Sequence, residues 1–370
     1  MIKKECFTAE WIEQVSSELH YNDKNLIEKV IRALSLLEML VKAGCPLVFK
    51  GGTALMLILG KSAHRLSIDI DLICPPGTNI EDYLKSFADF GFINLELVER
   101  KQRDDADIPK SHSKFFYQIA YRNDTDAQSY ILLDVLYEDI HYFRTQQIAI
   151  NCPFIRLEGK PLMVTVPSAE DILGDKLTAF APNTTGIPYY KQIISKKKML
   201  PYYKNGRSCS MEIAKQLYDV GRLFENVSDL QITKEAFRKI AVVELSYRSF
   251  GTDIGQVFND IRQTALCIST RGKAGEGDFD LIQDGIIRVK SFMYKQRYLI
   301  DHAIIDAARA AYLATLIEKG INEIESYSNN PADIKDMVIR PSLPNKLNKL
   351  RSNLPEAYYY WAKTSELLEA

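Results

Sequence analysis

Residues 65–72 read Arg65-Leu66-Ser67-Ile68-Asp69-Ile70-Asp71-Leu72. Over residues 67–74 polar and apolar side chains alternate, which predicts a β-strand with isoleucines on one face and aspartates on the other. Asp69 and Asp71 then project from the same face, with their carboxylates close together. Two anions held this close destabilise one another unless cations lie between them. The stretch therefore predicts a strand that holds divalent cations.

The cation that best suits such a pair is Mg²⁺, with Mn²⁺ as a possible substitute, because carboxylate oxygens and substrate phosphates are its preferred ligands. Two such ions about 4 Å apart can activate an attacking hydroxyl and stabilise a leaving pyrophosphate. An isolated pair of aspartates at this spacing is common, however, and equally fits an edge strand with a solvated acidic face. Three further features favour the catalytic interpretation.

The first feature is Gly51-Gly52-Thr53, which lies between a predicted strand at 46–49 and a predicted helix at 53–59. Such a turn lets backbone N–H groups and a hydroxyl approach a triphosphate, and the positive end of the helix assists. Taken alone, the glycine pair also fits an ordinary tight turn.

The second feature is Asp134, which interrupts the apolar run at 130–136. Burying this carboxylate is costly unless it is paired or bound to a metal, so it is a candidate third acidic ligand. The alternative is a strand residue that faces solvent near the rim of a sheet.

The third feature is the position of Arg65 and Ser67 at the entry to the acidic strand. Arg65 fits a phosphate contact and a carboxylate pair equally well.

The remaining periodicities predict an α+β fold with two domains. We expect a mixed sheet with N-terminal helices over 1–166 and an all-helical domain over 167–370. Predicted helices lie at 8–19, 25–43, 81–90, 168–180, 211–224, 233–247, 253–268, 279–295, 299–319 and 355–369. Predicted strands lie at 93–99, 115–121, 130–137, 147–150 and 162–166, with a loop at 103–113.

A connector at 183–210 is basic and rich in tyrosine, and it contains no Asp or Glu. Cations interleaved with stacking aromatics suit a nucleic-acid strand or a nucleotide base. A solvated charged loop whose tyrosines pack locally is the alternative. The residues concerned are Lys191, Lys196, Lys197, Lys198, Lys204, Arg207, Tyr189, Tyr190, Tyr202 and Tyr203.

Composition excludes little. The formal net charge is −1, so any affinity for nucleic acid must come from local patches. The six cysteines lack C-x-x-C spacing and fit free thiols in the core. We expect a cytoplasmic protein without a membrane partner, because there is neither a signal-peptide pattern nor an apolar run near the ~20 residues of a spanning helix.

Four motifs carry a family resemblance. They are Lys50-Gly51-Gly52-Thr53-Ala54-Leu55, the stretch at 65–72, Asp175-Lys176-Leu177-Thr178-Ala179 and Tyr218-Asp219-Val220. Over residues 45–225 or so, the chain resembles the AbiEii/AbiGii toxin family of the DNA polymerase β-like nucleotidyltransferase superfamily. The glycine pair together with R-x-S-x-D-x-D-L is specific, whereas the two later motifs are individually weak.

The resemblance implies roles for particular residues. Asp69, Asp71 and Asp134 would hold metal ions, Lys176 would contact nucleotide phosphates, and Asp219 would add a further acidic group. The nucleotide would bind at Gly51, Gly52, Thr53, Arg65, Ser67 and Lys176. In this chain Thr53 stands where many relatives have serine, which keeps the hydroxyl. Gln216 stands near the place of a frequent acidic residue, so only Asp219 is carried over. A solvated Lys176, and an Asp219 that merely caps or pairs on its helix, are the alternatives.

The resemblance further implies an enzyme that moves NMP from an NTP to an acceptor hydroxyl. We expect the toxin of a toxin–antitoxin or abortive-infection pair, with tRNA as acceptor and a cognate antitoxin as partner. A non-catalytic nucleotide- or RNA-binding module of the same fold is one alternative. A D-x-D glycosyltransferase is another, although it needs neither the glycine pair nor Asp134.

Overall fold

A computed structural model describes residues 1–97, 109–121, 127–190, 208–248, 251 and 253–370. The chain divides into two compact units. The first comprises Met1–Ser168 and Ser291–Arg297, and the second comprises Ala169–Lys290 and Tyr298–Ala370. The segment Ser291–Arg297, which the sequence analysis assigns to the helical domain, thus belongs with the first unit.

Within its described residues, the first unit contains three α-helices and seven β-strands. Its helices are α1 (Ala9–Glu18), α2 (Lys24–Lys42) and α3 (Gly51–Leu59). Its strands are β1 (Val48–Lys50), β2 (Ile70–Cys74), β3 (Asn94–Leu97), β4 (Lys110–Gln118), β5 (Gln128–Tyr137), β6 (Thr145–Ala149) and β7 (Met163–Pro167).

Five of the strands form one mixed sheet in the order β1-β2-β5-β4-β3. Strands β2 and β5 are parallel, and the other neighbours are antiparallel. Strands β6 and β7 form a separate antiparallel pair. A mixed sheet with flanking helices in this part of the chain confirms the predicted α+β class.

Helix α2 provides much of the core of the first unit. Its start is capped by Asp23, whose carboxylate accepts a hydrogen bond from the Leu26 backbone N–H at 3.0 Å. Apolar residues at helical spacing fill the interior, and the core also includes Ile131, Leu133 and Val135 of β5. The alternate residues of β5 are only half-buried or exposed. The sheet therefore has one buried face and one more accessible face.

The second unit is helical within its described residues, which confirms the prediction for the C-terminal part. Caps help to define its helices; the Asp278 carboxylate, for example, accepts from the Leu281 N–H at 3.0 Å. The helices are α4 (Ala169–Ala179), α5 (Ser210–Phe224), α6 (Gln231–Tyr247), α7 (Gly255–Ser269), α8 (Phe279–Val289), α9 (Ile300–Lys319), α10 (Leu350–Asn353) and α11 (Pro355–Glu369).

Two predicted elements of the first unit are wrong. The helix predicted at 81–90 is instead two short 3₁₀ turns, Ile80–Tyr83 and Phe87–Phe90. In each turn the first and last residues are three positions apart, as expected for a 3₁₀ helix with three residues per turn. The loop predicted at 103–113 is also wrong in part, because β4 begins at Lys110. Residues 103–108 of that loop lie outside the described residues.

Two predicted boundaries are also wrong. The acidic strand begins at Ile70 rather than at residue 67. The helix predicted at 279–295 ends as α8 at Val289, because the following segment pairs within the first unit. The Leu66 N–H donates to the Phe292 carbonyl at 2.8 Å, and the Tyr294 N–H donates to the His64 carbonyl at 3.0 Å. Tertiary hydrogen bonding here overrides local helical periodicity.

The six cysteines, all within the described residues, are free thiols, as predicted, and five of them are buried. Among the helices that the structure describes, none combines the length and the apolar character needed to cross a bilayer.

Candidate active site

Two carboxylates lie side by side on neighbouring strands at the accessible face of the five-stranded sheet, and a third lies two residues before the first of them. Asp71 and Asp134 are register partners on the parallel strands β2 and β5. Such partners lie about 4.8 Å apart and point to the same side of a sheet. Asp69 lies two residues before Asp71, just ahead of β2. The Asp134 side chain is 32% exposed, Asp71 is half-buried and Asp69 is exposed. The structure thus brings Asp71 and Asp134 together where a solute can reach them, with Asp69 nearby along the chain.

The glycine turn lies directly against this acidic cluster. Gly51 is the first residue of α3 and has a φ of 80°. A Cβ on Gly51 would lie 2.1 Å from Oδ2 of Asp71, and one on Gly52 would lie 2.7 Å from the Ser67 Oγ. Any side chain at Gly51 would therefore displace the Asp71 carboxylate. The glycines place the N-terminus of α3 beside the acidic residues, where backbone N–H groups and the helix dipole favour an anion.

Thr53 and Arg65 support the backbone around the acidic strand. The Thr53 hydroxyl donates to the Asp69 carbonyl oxygen at 2.7 Å, and the Thr53 side chain is buried. Arg65 is also buried, and its Nη1 donates to the Leu66 carbonyl at 3.0 Å. Its Nη2 lies 3.0 Å from the place that a Cβ on Gly52 would occupy. The guanidinium of Arg65 thus borders the glycine turn.

His112 is a site residue that the sequence analysis missed. It is the register partner of Asp134 on β4, and its Nδ1 lies 2.5 Å from Oδ1 of Asp134. His112 is buried, and its Nε2 has no hydrogen-bond partner. The histidine therefore fixes the orientation of the Asp134 carboxylate. Once β4 is extended back to Lys110, the alternation of residues 110, 112, 114 and 116 would have revealed it.

A lysine on α2 contributes positive charge next to the acidic residues. Burial lowers the pKa of the Lys29 ammonium, and the negative charges of Asp69 and Asp23 oppose this shift. Lys29 is thus within electrostatic reach of Asp69.

Lys176 and Asp219 belong to the second unit, where they form a buried ion pair. The Lys176 Nζ lies 3.1 Å from Oδ2 of Asp219 and donates to Oε1 of Gln216 at 2.9 Å. The two side chains are 8% and 2% exposed, respectively. The alternative of a solvated Lys176 is therefore wrong. Asp219 pairs with a residue on another helix, and Gln216 completes the polar surroundings of the ammonium.

The basic connector falls largely outside the described residues, which exclude 191–207. Of the tyrosines singled out there, Tyr189 and Tyr190 are described. Burial raises the pKa of Tyr189, and the Tyr189 carbonyl accepts from the Cys209 N–H at 2.9 Å.

The donor set of the acidic cluster suits a hard cation. Within the described residues, no group of three or more His, Cys, Asp or Glu side chains could hold a metal ion. Mg²⁺ does not usually need such a cage, because it binds one or two carboxylates and completes its octahedron with water and substrate phosphates. Asp71 and Asp134, as neighbours on two strands, are a carboxylate pair of the kind that such a cation uses.

Carboxylates gathered beside a glycine-opened helix N-terminus are suited to the transfer of nucleotidyl groups. Comparison with known families agrees. The family model described as "Nucleotidyl transferase AbiEii toxin, Type IV TA system" matches residues 34–330, and the chain belongs to this family. It is therefore a nucleotidyltransferase of a toxin family, which excludes the glycosyltransferase alternative.

Two solved structures are similar to the chain at low sequence identity. One is JHP933 from Helicobacter pylori, with 14% identity, 87% of this chain and 95% of that chain covered, and a TM-score of 0.38. The other is MenT4, a nucleotidyltransferase toxin from Mycobacterium tuberculosis, with 12% identity, 83% and 89% covered, and a TM-score of 0.41. A search of the curated proteins finds no match. The assignment therefore rests on the family model.

Proposed function

We propose that this chain transfers a nucleoside monophosphate from an NTP to an acceptor hydroxyl, with Mg²⁺ held by Asp69, Asp71 and Asp134. The observation that carries the proposal is the register of the two parallel strands, which sets Asp71 beside Asp134 on the accessible face. Mn²⁺ would substitute, because it accepts the same oxygen ligands. When bound, the cations would neutralise phosphate charge and make the acceptor oxygen a better nucleophile.

The glycine turn supplies the triphosphate site in this proposal. Backbone N–H groups at the start of α3 would hold the phosphates, with Gly51 and Gly52 leaving the space that they need. Arg65, Thr53 and Ser67 would complete the site from the neighbouring backbone. The acceptor oxygen would attack the α-phosphorus, the bond from that phosphorus to the bridging oxygen would break, and pyrophosphate would leave. The acceptor proton would pass to a carboxylate or to solvent.

Asp134 would orient the acceptor hydroxyl, and His112 would hold Asp134 for this task. A hydrogen bond to one carboxylate oxygen fixes the side-chain torsion and leaves the other oxygen for a ligand. His112 therefore acts as a positioning residue and does not itself touch the substrate.

We carry over two roles to the second unit from the family resemblance. Lys176 would contact the nucleotide phosphates, and Asp219 would complete the active site as an acidic group. Their ion pair supports a role for Asp219 in holding the Lys176 ammonium in place.

The acceptor that we propose is RNA, with tRNA as the favoured molecule, and the cellular role is that of a cytoplasmic toxin. Membership of a type IV toxin family supports the toxin role and a cognate antitoxin as partner. The sequence-specific recognition of RNA usually uses single-stranded ends and loops, which an accessible sheet face can accommodate.

The test is to incubate the purified protein with each α-labelled NTP, Mg²⁺ and total RNA, and to follow label in RNA. We expect transfer by the wild type, dependent on Mg²⁺ or Mn²⁺. Asp69→Asn and Asp71→Asn should each lower the rate by at least about 10³-fold, since they remove charge that holds the cations. Asp89→Asn is the matched control, because Asp89 is an exposed aspartate of the same unit. Undiminished transfer by the Asp71 variant would overturn the proposal.

A further inference from the structure

A cluster of aromatic and basic side chains lies near the start of β5, beyond the acidic residues. The Tyr130 ring has the Lys29 Nζ 5.5 Å and the Lys114 Nζ 5.3 Å from its centroid. The Phe116 ring lies 5.7 Å away, tilted by 56°. Tyr130 is 39% exposed despite its size. We call Lys29, Lys114, Phe116 and Tyr130 the aromatic–lysine ledge.

The ledge adjoins the proposed active site. Tyr130 and Asp134 are four residues apart on β5, so they share a face and lie about 13 Å apart along the strand. Lys114 follows His112 by two residues on β4, again on the same face. Lys29 is within electrostatic reach of Asp69.

The order of the strands separates this ledge from the glycine turn. The turn joins β1 to α3 on one side of β2, whereas β5 and β4 lie on the other side. In nucleotidyl transfer the attacking oxygen approaches phosphorus in line with the leaving oxygen and on the opposite side of it. If the triphosphate lies at the glycine turn, the acceptor must come from the side of β5 and β4. This step rests on the proposed function.

The chemistry of the ledge indicates which part of an acceptor it would bind. An exposed tyrosine ring offers a face for stacking with a base, and the two ammonium groups attract backbone phosphates. The base faces of a duplex are covered by their neighbours, so only an unpaired strand offers them. Lys114 also pairs with Glu96 at 3.6 Å. Half of the Glu96 side chain is exposed, so this pair is weak and easily exchanged for a phosphate.

We propose that the aromatic–lysine ledge binds an unpaired terminal segment of the RNA acceptor, so that its terminal hydroxyl reaches Asp134. Tyr130 stacks on a base of this segment, and Lys114 and Lys29 contact its phosphates. The ledge thereby selects single-stranded RNA ends over duplex ends.

The test measures binding of a fluorescent single-stranded oligoribonucleotide to the full chain by anisotropy, without Mg²⁺ or NTP. We expect Tyr130→Ala to raise Kd about tenfold or more, and Lys114→Ala to raise it severalfold and to reduce its dependence on salt. Tyr130→Phe should keep near wild-type affinity, since the ring remains. Phe143→Ala and Lys85→Ala are controls at exposed positions of the same unit and should leave Kd unchanged.

Steady-state transfer provides a second measurement. Tyr130→Ala should raise KM for the RNA acceptor and leave KM for the NTP unchanged, which would show that the variant is folded. Tyr130→Phe should restore the acceptor KM, since the ring remains. Binding and acceptor KM within twofold of wild type in both Tyr130→Ala and Lys114→Ala would overturn the inference. This failure differs from failure of the proposed function, in which the wild type itself would transfer no nucleotide.

Discussion

The aspartates of the two units have opposite surroundings. In the first unit Asp134 is about one-third exposed and contacts a histidine, and a glycine makes room for its neighbour Asp71. In the second unit Asp219 and Asp306 are 2% and 1% exposed, and they pair with Lys176 and with Arg222 and Arg309, respectively. The first arrangement leaves carboxylate oxygens accessible to a ligand, whereas the second uses their charge within the fold.

Aspartate thus serves two purposes in this chain. A buried ion pair whose partner is removed leaves an uncompensated charge, so it is costly to break. A partly exposed carboxylate is already hydrated, so changing it costs little stability. We therefore expect substitutions at the buried pairs of the second unit to lower the stability of the fold, whatever they do to activity, and substitutions of Asp71 and Asp134 to act mainly on activity. Substitutions at four sites distinguish these outcomes, from the largest expected change in free energy to the smallest.

The largest effect is expected at the Lys176–Asp219 pair. Lys176→Met should lower the free energy of unfolding by about 3–5 kcal/mol, because Asp219 remains buried without its cation. Urea denaturation followed by helical circular dichroism measures this loss. Arg288→Met is the control, since its ion pair with Asp284 is roughly half-exposed and should contribute at most about 1 kcal/mol. Equal losses in the two variants would remove the basis of the comparison.

The next effect concerns pH. Burial raises the pKa of Asp306 from 3.8 to about 6, although Arg222 and Arg309 oppose the shift. The folded state then binds more protons than the unfolded state between these two values, so this group loses stabilising power as the pH rises through them. The loss amounts to about 3 kcal/mol. The free energy of unfolding of Asp306→Asn, relative to that of wild type, should therefore rise by about this much between pH 4 and pH 7 in denaturation experiments. A stability difference independent of pH would contradict the prediction.

A side chain added at Gly51 tests whether activity depends on the position of the Asp71 carboxylate. Gly51→Ala should lower transfer about 100-fold, equivalent to about 2.7 kcal/mol, because its Cβ would displace the Asp71 carboxylate. Gly77→Ala is a closely matched control, since Gly77 has a φ of 84° and nothing within 4 Å of its added Cβ. Both variants incur the backbone cost of a positive φ, and only one should lose activity. Similar activity in both variants would show that the position of Asp71 is unimportant.

The smallest effect is expected at His112. His112→Ala should lower kcat about tenfold, or about 1.4 kcal/mol, and raise the Mg²⁺ concentration needed for half-maximal transfer, because Asp134 loses its orientation. His112→Asn should restore most of the activity, since its amide nitrogen replaces Nδ1. A merely structural histidine would change stability in both variants without changing the Mg²⁺ requirement.

The sequence predicts the parts of this molecule in which local pattern and tertiary environment agree. Helix α2 has apolar residues at helical spacing and a capping aspartate, and it forms near the predicted bounds. The strand of Asp134 is also predicted closely, because Ile131, Leu133 and Val135 alternate with residues of the accessible face. Alternation predicts Asp69 and Asp71 on one face of their strand, and the cost of a carboxylate in an apolar run points to Asp134.

The remainder depends on contacts that no local pattern contains. The start of β4 is polar on both faces: Ser113 and His112 are buried yet polar, so the segment resembles a loop. The partner of Asp134 follows from the alternation only once the start of β4 is known. The segment after α8 continues a helical pattern, but its hydrogen bonds to His64 and Leu66 draw it into extended pairing. The ion pair of Lys176 with Asp219 joins helices whose packing the sequence does not encode locally.

Whether Asp71 and Asp134 together hold a cation is tested most directly by a thermal-shift titration with Mg²⁺ in the presence of a non-hydrolysable NTP analogue. The titration compares wild type, Asp71→Asn and Asp134→Asn. A ligand that binds only the folded state stabilises it by mass action. We predict that Mg²⁺ with the analogue raises the Tm of wild type by several degrees and that of either variant hardly at all, while the three ligand-free proteins melt at similar temperatures. An equal Mg²⁺-dependent rise in all three proteins would contradict the claim that Asp71 and Asp134 together hold the cation.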